Sequence, residues 1–169
     1  MSRDRDVFLD LNERARMAND WSADYFVSVH INAGGGTGFE SFVHTSRASR
    51  TVALQNTMHT EIMAALGSDV RDRGKKAANF AVLRLTAMPA LLTENLFIDN
   101  TNDARLLRDP AFLDRIARGH VNGLAKAFGL RKKAKPQPKV QSSQPTDQSG
   151  TVYYRVVTGS FTDRVKAER

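Results

Sequence analysis

Apolar positions recur with helical spacing in three stretches of the chain. The first follows Asn12, which we expect to cap a short helix. The second covers residues 47–66 and stops at Gly67, because glycine favours the backbone conformation that ends helices. The third begins at Asp109, where a capping carboxylate precedes a proline, and its apolar stripe continues to Gly129. The pattern therefore predicts three helices.

Segments rich in β-branched and aromatic residues lie between the predicted helices. They predict strands at residues 25–31, 39–45, 80–86 and 90–97. The first of them carries a histidine near its end and is soon followed by three glycines, so we expect a buried strand that delivers a side chain to a loop. The glycine-rich connection predicts that the first two strands are neighbours, and the charged residues 69–76 predict a loop. Helices and strands in this order indicate an α/β fold.

The pattern changes near residue 130. Residues 131–150 are dominated by Lys, Pro, Gln, Ser and Thr and contain no aromatic residue, which is typical of a flexible linker. An apolar pattern returns in residues 151–169, as in a strand followed by the start of a helix. Because so short a segment cannot bury a core, we expect the chain to stop inside a second domain.

The composition restricts the chemistry of this 169-residue chain. It contains no cysteine, so disulfides and thiolate metal sites are excluded and any metal must be held by His, Asp or Glu. Hydrophobic residues make up 41% of the chain, which is enough for a domain core. No apolar run is long enough to span a bilayer, and the first residues lack the apolar centre of a signal peptide.

The net charge of +7 is concentrated in the tail. Residues 1–129 hold 16 Lys and Arg against 15 Asp and Glu, whereas residues 130–169 hold 9 against 3. A basic tail suits an anionic polymer, either a cell wall or a nucleic acid. Since no recognition helix or RNA-binding motif accompanies the charge, we expect no nucleic-acid partner.

Two polar residues lie where their burial is costly. His30 ends one predicted strand, and Glu94 lies inside the most apolar one. If the two strands are close in the sheet, the side chains converge, and a metal beside the carboxylate offsets its charge. The alternatives are a hydrogen-bonded core histidine and a glutamate paired with Arg73 or Arg84. His120, on the apolar stripe of the last helix, is expected to be a core residue.

Several separate motifs carry a family resemblance. They are Asp-Tyr-Phe-Val-Ser-Val-His-Ile-Asn-Ala at residues 24–33, Gly-Phe-Glu at 38–40, Arg-Gly at 73–74, Phe-Ala-Val-Leu-Arg at 80–84 and Pro-Ala-Leu-Leu-Thr-Glu at 89–94. In this order and spacing, residues 2–130 resemble the zinc-dependent N-acetylmuramoyl-L-alanine amidases of amidase type 3. Residues 154–161 are similar to the opening strand of a sporulation-related repeat (SPOR) domain, which binds peptidoglycan.

The resemblance implies a fold, a reaction and site residues. The fold is a mixed sheet flanked by helices, and the reaction is hydrolysis of the amide between N-acetylmuramic acid and the L-alanine of the stem peptide, outside the cell or at the bacterial cell wall. By resemblance, His30 is the second zinc-binding histidine and Glu94 is the catalytic glutamate. Asn32 and Glu40 match positions near the site, where they orient His30, or where Glu40 pairs with an arginine.

Two further charged residues have both a functional and a solvated interpretation. Arg73 and Lys75, on the predicted loop, either meet the carboxylates of the stem peptide or remain solvated. We expect His59 to face outward and assign it no role. We also expect the chain to act as a monomer, with the amidase domain at residues 1–130, the linker at 131–150 and the partial wall-binding domain at 151–169.

The chain also departs from the family pattern. The family's first zinc histidine and a glutamate ligand have no counterpart before residue 30, so we expect an N-terminally shortened amidase with an incomplete zinc site. Hydrolysis is then impaired, and the alternative is a peptidoglycan-binding remnant without catalysis. If zinc binds, Glu40 or His44 is the expected substitute ligand.

Overall fold

A computed structural model describes residues 7–131 of the chain. The predicted second domain, and all of the predicted linker except residue 131, therefore lie outside the described residues. In these residues, nine elements follow one another: α1 (Leu11–Asp20), β1 (Phe26–Asn32), β2 (Phe39–Val43), α2 (Ser49–Leu66), β3 (Asp72–Ala77), α3 (Ala81–Leu85), β4 (Ala90–Phe97), α4 (Thr101–Leu106) and α5 (Pro110–Phe128). The fold is a mixed sheet flanked by helices, as predicted.

The sheet has the strand order β1-β4-β2-β3. β1 and β4 run parallel, β2 and β3 run parallel, and β2 and β4 run antiparallel. The prediction that the first two strands are neighbours was wrong, because β4 lies between them. β4 is the most continuously apolar strand and is buried along almost its whole length, so it takes an interior position.

The two faces of the sheet carry cores of different size. On one face, α2 and α5 cover a core built of Phe39, Met58, Ile62, Leu91, Phe112 and Ile116. The two helices approach closely because α5 has glycines where they meet: a Cβ at Gly119 would lie 2.8 Å from the Cα of Ile62. On the other face, α3 supplies a smaller core with Ala90 and Leu92 of β4.

The strand predicted to be buried, β1, is half-exposed. Val29 and Ile31 are 59% and 51% exposed. Within residues 7–131, β1 pairs only with β4, so one of its edges carries no strand there. The apolar composition of β1 thus predicted a strand correctly but overestimated its burial.

Two segments were assigned to the wrong type of element. The predicted charged loop contains β3. In the described part of the chain, β3 pairs only with β2, and such an edge strand tolerates its basic residues. The predicted strand 80–86 is the one-turn helix α3, since Val82 and Leu83 both reach the small core. A short apolar run fits either type of element, and here packing decided.

The helix ends are set by side chains and glycines. Asp10, rather than the predicted Asn12, caps α1 by accepting a hydrogen bond from the backbone N–H of Glu13. Gly67 and Gly129 end α2 and α5 at positive φ, as predicted. None of the helices in residues 7–131 has the length and apolar character needed to cross a bilayer.

Candidate active site

Three predicted site residues lie side by side across the sheet. His30 of β1 and Glu40 of β2 are both register partners of Glu94 on β4, which lies between their strands. Register partners on neighbouring strands point to the same face of a sheet. The topology therefore brings together an imidazole and two carboxyl groups that are up to 64 positions apart in the sequence, as the numbering shows.

A β-bulge ends the β1–β4 ladder beside the site. His30 pairs with Glu94, but Asn32 pairs with Phe97, so β4 has one extra residue. Leu96 adopts a φ of 69° there, and the Asn95 Nδ2 donates a hydrogen bond of 3.0 Å to the carbonyl oxygen of His30. The bulge keeps the ring of Phe97 at the site.

Glu94 is held without a counter-charge. Its Oε2 is buried and has no hydrogen-bond partner among the described residues. Burial, together with the nearby charge of Glu40, raises the pKa of Glu94 to about 7. The anticipated pairing with Arg73 or Arg84 is not formed, because Arg73 bonds to Glu40 and Arg84 to Asn79. Near neutral pH, this carboxyl group can both take up and release a proton.

Glu40 is held in the opposite state. Its Oε1 accepts a hydrogen bond of 2.8 Å from Asn32 Nδ2, and its Oε2 accepts one of 2.8 Å from Arg73 Nε and another from Lys76 Nζ. Burial opposes ionisation, but the hydrogen bonds and charges of Lys76 and Arg73 prevail and lower the pKa of Glu40. The guanidinium of Arg73 also lies over the ring of Phe97, 4.8 Å from its centroid.

His30 has a partner on its own strand. Its Nε2 lies 2.9 Å from Ser28 Oγ, two residues earlier on the same face. Partial desolvation of the ring and the charge of Arg14 lower the pKa of His30, so the imidazole is neutral at pH 7. A neutral imidazole is the form that binds metals. Asn32 and Glu40, which were expected to orient His30, instead bond to each other.

The residues at hand do not complete a metal site. Within residues 7–131, no three or more His, Asp or Glu side chains are grouped so that they could hold a metal ion. A catalytic zinc takes three protein ligands and one open position. Glu40 is occupied by its cations, and His44 lies beside the other end of β4, where it lines a cavity of about 380 Å³ with Arg84 and Pro89. Among the residues that the structure describes, neither Glu40 nor His44 is therefore positioned to join His30 as a ligand.

One buried histidine escaped the sequence prediction. His59 was expected to face outward, but it is 4% exposed, and its ring bonds to Ser41 and Asp72. The signal was its spacing: His59 follows Gln55 by four positions and precedes Ile62 by three, so all three share a helix face. His120 is a core histidine, as predicted, with its ring bonded to Thr93 and to the carbonyl oxygen of Ile116.

Comparison with known proteins points to one family. The sequence profile of the N-acetylmuramoyl-L-alanine amidase family matches residues 1–126. The chain is 55% identical to the N-acetylmuramoyl-L-alanine amidase CwlM of Bacillus licheniformis over 141 residues, which cover 83% of this chain and 55% of that protein. It is 45% identical to the sporulation-specific N-acetylmuramoyl-L-alanine amidase of Bacillus subtilis over 168 residues, which cover 99% of this chain and 59% of that protein.

A solved structure supports the same grouping. The catalytic domain of CwlV, an N-acetylmuramoyl-L-alanine amidase from Bacillus (Paenibacillus) polymyxa var. colistinus, superposes with a TM-score of 0.71 and 32% identity, over 77% of this chain and 72% of that domain. Among the curated relatives, the chain spans a little over half the length of the two described above.

Proposed function

The chain belongs to the N-acetylmuramoyl-L-alanine amidase family, and from this premise we propose that it acts on peptidoglycan at the amide between N-acetylmuramic acid and the L-alanine of the stem peptide. The observation that carries the proposal is Glu94, a carboxyl group without a hydrogen-bond partner among the described residues, with a pKa raised to about 7 and a histidine as its register partner. A structural carboxylate would be expected to have a partner, as Glu40 has.

The role of Glu94 follows from its proton affinity. In the hydrolysis, the oxygen of a water molecule bonds to the lactyl carbonyl carbon, and the bond from that carbon to the alanine nitrogen breaks. The proton that the water loses passes to Glu94 and then to the leaving alanine nitrogen. A group whose pKa is close to neutral serves both steps, because neither form is strongly favoured over the other.

Zinc is the group that the resemblance implies for this reaction. Zinc would supply charge stabilisation at the carbonyl and would make bound water more acidic. Of the residues described, His30 is the ligand that matches the family, and the carboxyl group of Glu40, whose pKa is lowered, is held by Arg73 and Lys76. We therefore infer that this chain by itself binds zinc weakly and hydrolyses peptidoglycan slowly.

We propose that Arg73 contacts the substrate in addition to its hydrogen bond with Glu40. Its Nε–H donates a hydrogen bond to Glu40, and its side chain is 26% exposed. The terminal nitrogens of a guanidinium can bind a carboxylate in bidentate geometry. The stem peptide carries carboxylates, so Arg73 suits a role in substrate binding beside the proton-transferring Glu94.

The basic tail is consistent with a site of action at the cell wall. Residues 130–169 carry most of the net charge of +7, and we propose that residues 131–150 link the amidase domain to the start of a SPOR-like wall-binding domain at residues 151–169. The proposed site of action is the cell wall or the extracellular space. Peptidoglycan binding without catalysis is the second candidate function, and the observation that favours it is the lack of a three-ligand metal group in residues 7–131.

The test separates binding from hydrolysis. The purified chain is incubated with insoluble peptidoglycan, sedimented, and assayed for new alanine amino groups by dinitrophenyl labelling and for new reducing ends. We expect co-sedimentation and slow release of alanine amino groups without reducing ends. Glu94→Gln should reduce that release at least about 100-fold and leave binding unchanged, whereas Glu61→Gln, at an exposed ion pair with Lys126, should change neither.

Each outcome bears on one part of the proposal. Binding without release of alanine amino groups assigns the non-catalytic function. Neither binding nor release contradicts a peptidoglycan function altogether. Stoichiometric, tight zinc measured by elemental analysis, together with rapid release, would show that the inferred impairment is wrong.

A further inference from the structure

A chain of hydrogen bonds crosses from α2 to β3 on the face of the sheet opposite the site. The His59 Nδ1 lies 2.8 Å from the hydroxyl of Ser41 on β2, and its Nε2 lies 2.9 Å from Asp72 Oδ1 at the start of β3. The same Asp72 oxygen accepts a hydrogen bond of 2.7 Å from the backbone N–H of Gly74. The imidazole therefore joins two neighbouring strands through their side chains.

The partners of the imidazole fix where its proton lies. An ionised Asp72 can only accept, so the His59 Nε2 carries the proton, and Nδ1 accepts from the Ser41 hydroxyl. Gln55 Nε2 in turn donates to Ser41 Oγ at 3.3 Å. Ser41 is fully buried, so its hydroxyl has no access to water as an alternative acceptor. The chain of donors runs in one direction, from Gln55 through Ser41 and His59 to Asp72.

Asp72 and Gly74 enclose a second bulge, this time in β3. Phe39 pairs with Asp72 and Ser41 pairs with Lys75, so Arg73 and Gly74 together oppose the single residue Glu40. Gly74 adopts a φ of +88°, which a residue with a side chain rarely does. The hydrogen bond from Gly74 to Asp72 closes this bulge, and His59 holds the Asp72 carboxylate that accepts it.

Arg73 lies inside this bulge and faces the site. From this position, the Arg73 Nε donates to Glu40 Oε2 at 2.8 Å, and its guanidinium lies over Phe97. Asp72 faces His59 on the other side of the sheet, so Arg73, the next residue, faces the site, where it is one of the two residues that oppose Glu40. Because Arg73 lies between Asp72 and Gly74, whose hydrogen bond closes the bulge, the backbone of the bulge sets where the guanidinium lies.

We propose that His59 is a positioning residue of the site: through Ser41 and Asp72 it sets the β3 bulge and directs Arg73 onto Glu40, although it lies on the opposite face of the sheet. The inference rests on the proposed function for its significance, because Glu40 is the register partner of Glu94. The orientation of Arg73 is nevertheless a property of the folded chain, and it can be measured without substrate.

The test follows the Arg73 Nε–H by ¹⁵N NMR in the full chain, with no peptidoglycan or added metal. His59→Leu removes both ring hydrogen bonds and should speed solvent exchange of this proton at least about tenfold. His59→Gln can still donate to Asp72 and should restore most of the protection. The matched control is His120→Leu, which removes a second buried histidine whose partners, Thr93 and Ile116, lie outside β3.

The outcomes distinguish positioning from general packing. Equal acceleration in His59→Leu and His120→Leu would show that any core histidine has this effect and would contradict the proposal, as would unchanged exchange in His59→Leu. If His59→Leu does not fold, Asp72→Asn provides the decision, because Asp72 is half-exposed and its replacement weakens the same hydrogen bonds. Exchange that is unchanged in a folded Asp72→Asn variant overturns the inference. A chain that releases no alanine amino groups would contradict the proposed function and leave this measurement intact.

Discussion

Glu94 and Glu40 are register partners on neighbouring strands and carry the same functional group, yet their surroundings are opposite. On the β4 side, Glu94 lacks a hydrogen-bond partner among the described residues, and burial raises its pKa to about 7. On the β2–β3 side, Glu40 is bound by Arg73 and Lys76, and its pKa is lowered. The comparison of the two residues shows that the neighbours of a carboxyl group, rather than its residue type, decide whether it transfers protons or remains ionised.

The largest expected effect on stability comes from removing the two cationic side chains that bond to Glu40. The double variant Arg73→Met and Lys76→Met leaves a buried carboxylate without compensation and should lower the free energy of unfolding by about 3 to 5 kcal/mol. Urea denaturation monitored by circular dichroism measures it. Adding Glu40→Gln to the double variant should recover much of the loss, because the uncompensated charge is then gone. A double variant as stable as the parent chain would show that Glu40 does not depend on Arg73 and Lys76 for charge compensation.

The contrast between the two carboxyl groups was only partly accessible from the sequence. β4 was predicted with its bounds, because an eight-residue apolar run between a proline and a turn is distinctive, and Glu94 was conspicuous within it. β3 was missed, because its side chains follow no apolar period and its charges suit an exposed edge. Without β3, the partner of Glu40 could be expected only as some nearby arginine.

Strand order and bulges lay further beyond sequence patterns. A short glycine loop suggested that β1 and β2 pair, but β4, from much later in the chain, lies between them. A single extra residue at Leu96 or Gly74 leaves the local composition unchanged, yet it redirects the side chains that follow. His59 was misplaced because a polar residue on a helix is usually solvated, and its partner Asp72 comes from the strand that was missed.

The next largest effect is the dependence of folding stability on pH that Glu94 contributes. Its folded pKa, about 7, lies above the ordinary value of 4.5, so the folded chain holds a proton that the unfolded chain has already released. The stability that this proton provides is complete below pH 4.5 and is lost as the pH rises through 7. After a discount for solvent screening, the loss should be about 1 to 2 kcal/mol.

The variant Glu94→Gln isolates that contribution. It should lose less stability than the parent chain between pH 5 and pH 8, whereas Glu61→Gln should follow the parent chain. The histidines His59 and His120 act in the opposite direction, because their lowered pKa values remove stability as the pH falls below 6.5. The contribution of Glu94 is therefore read from the difference in free energy of unfolding between the parent chain and the variant across pH 5 to 8, and not from the parent chain alone. Parallel curves for the parent chain and Glu94→Gln would show that Glu94 ionises normally.

The smallest expected effect concerns the geometry of the cation beside Glu40. Arg73→Lys keeps the positive charge but loses the planar group that lies over Phe97 and the Nε–H that points at Glu40. A charge that remains near Glu40 still compensates it, so stability should fall by only about 0.5 to 1 kcal/mol. If the proposed contact with the stem peptide is made by the guanidinium fork, the same variant should raise KM for soluble muropeptides while kcat changes little. Phe97→Leu is the matched control, because it removes the stacking surface and keeps the guanidinium. A KM that rises equally in both variants would assign the effect to the position of Arg73 rather than to its bidentate donors.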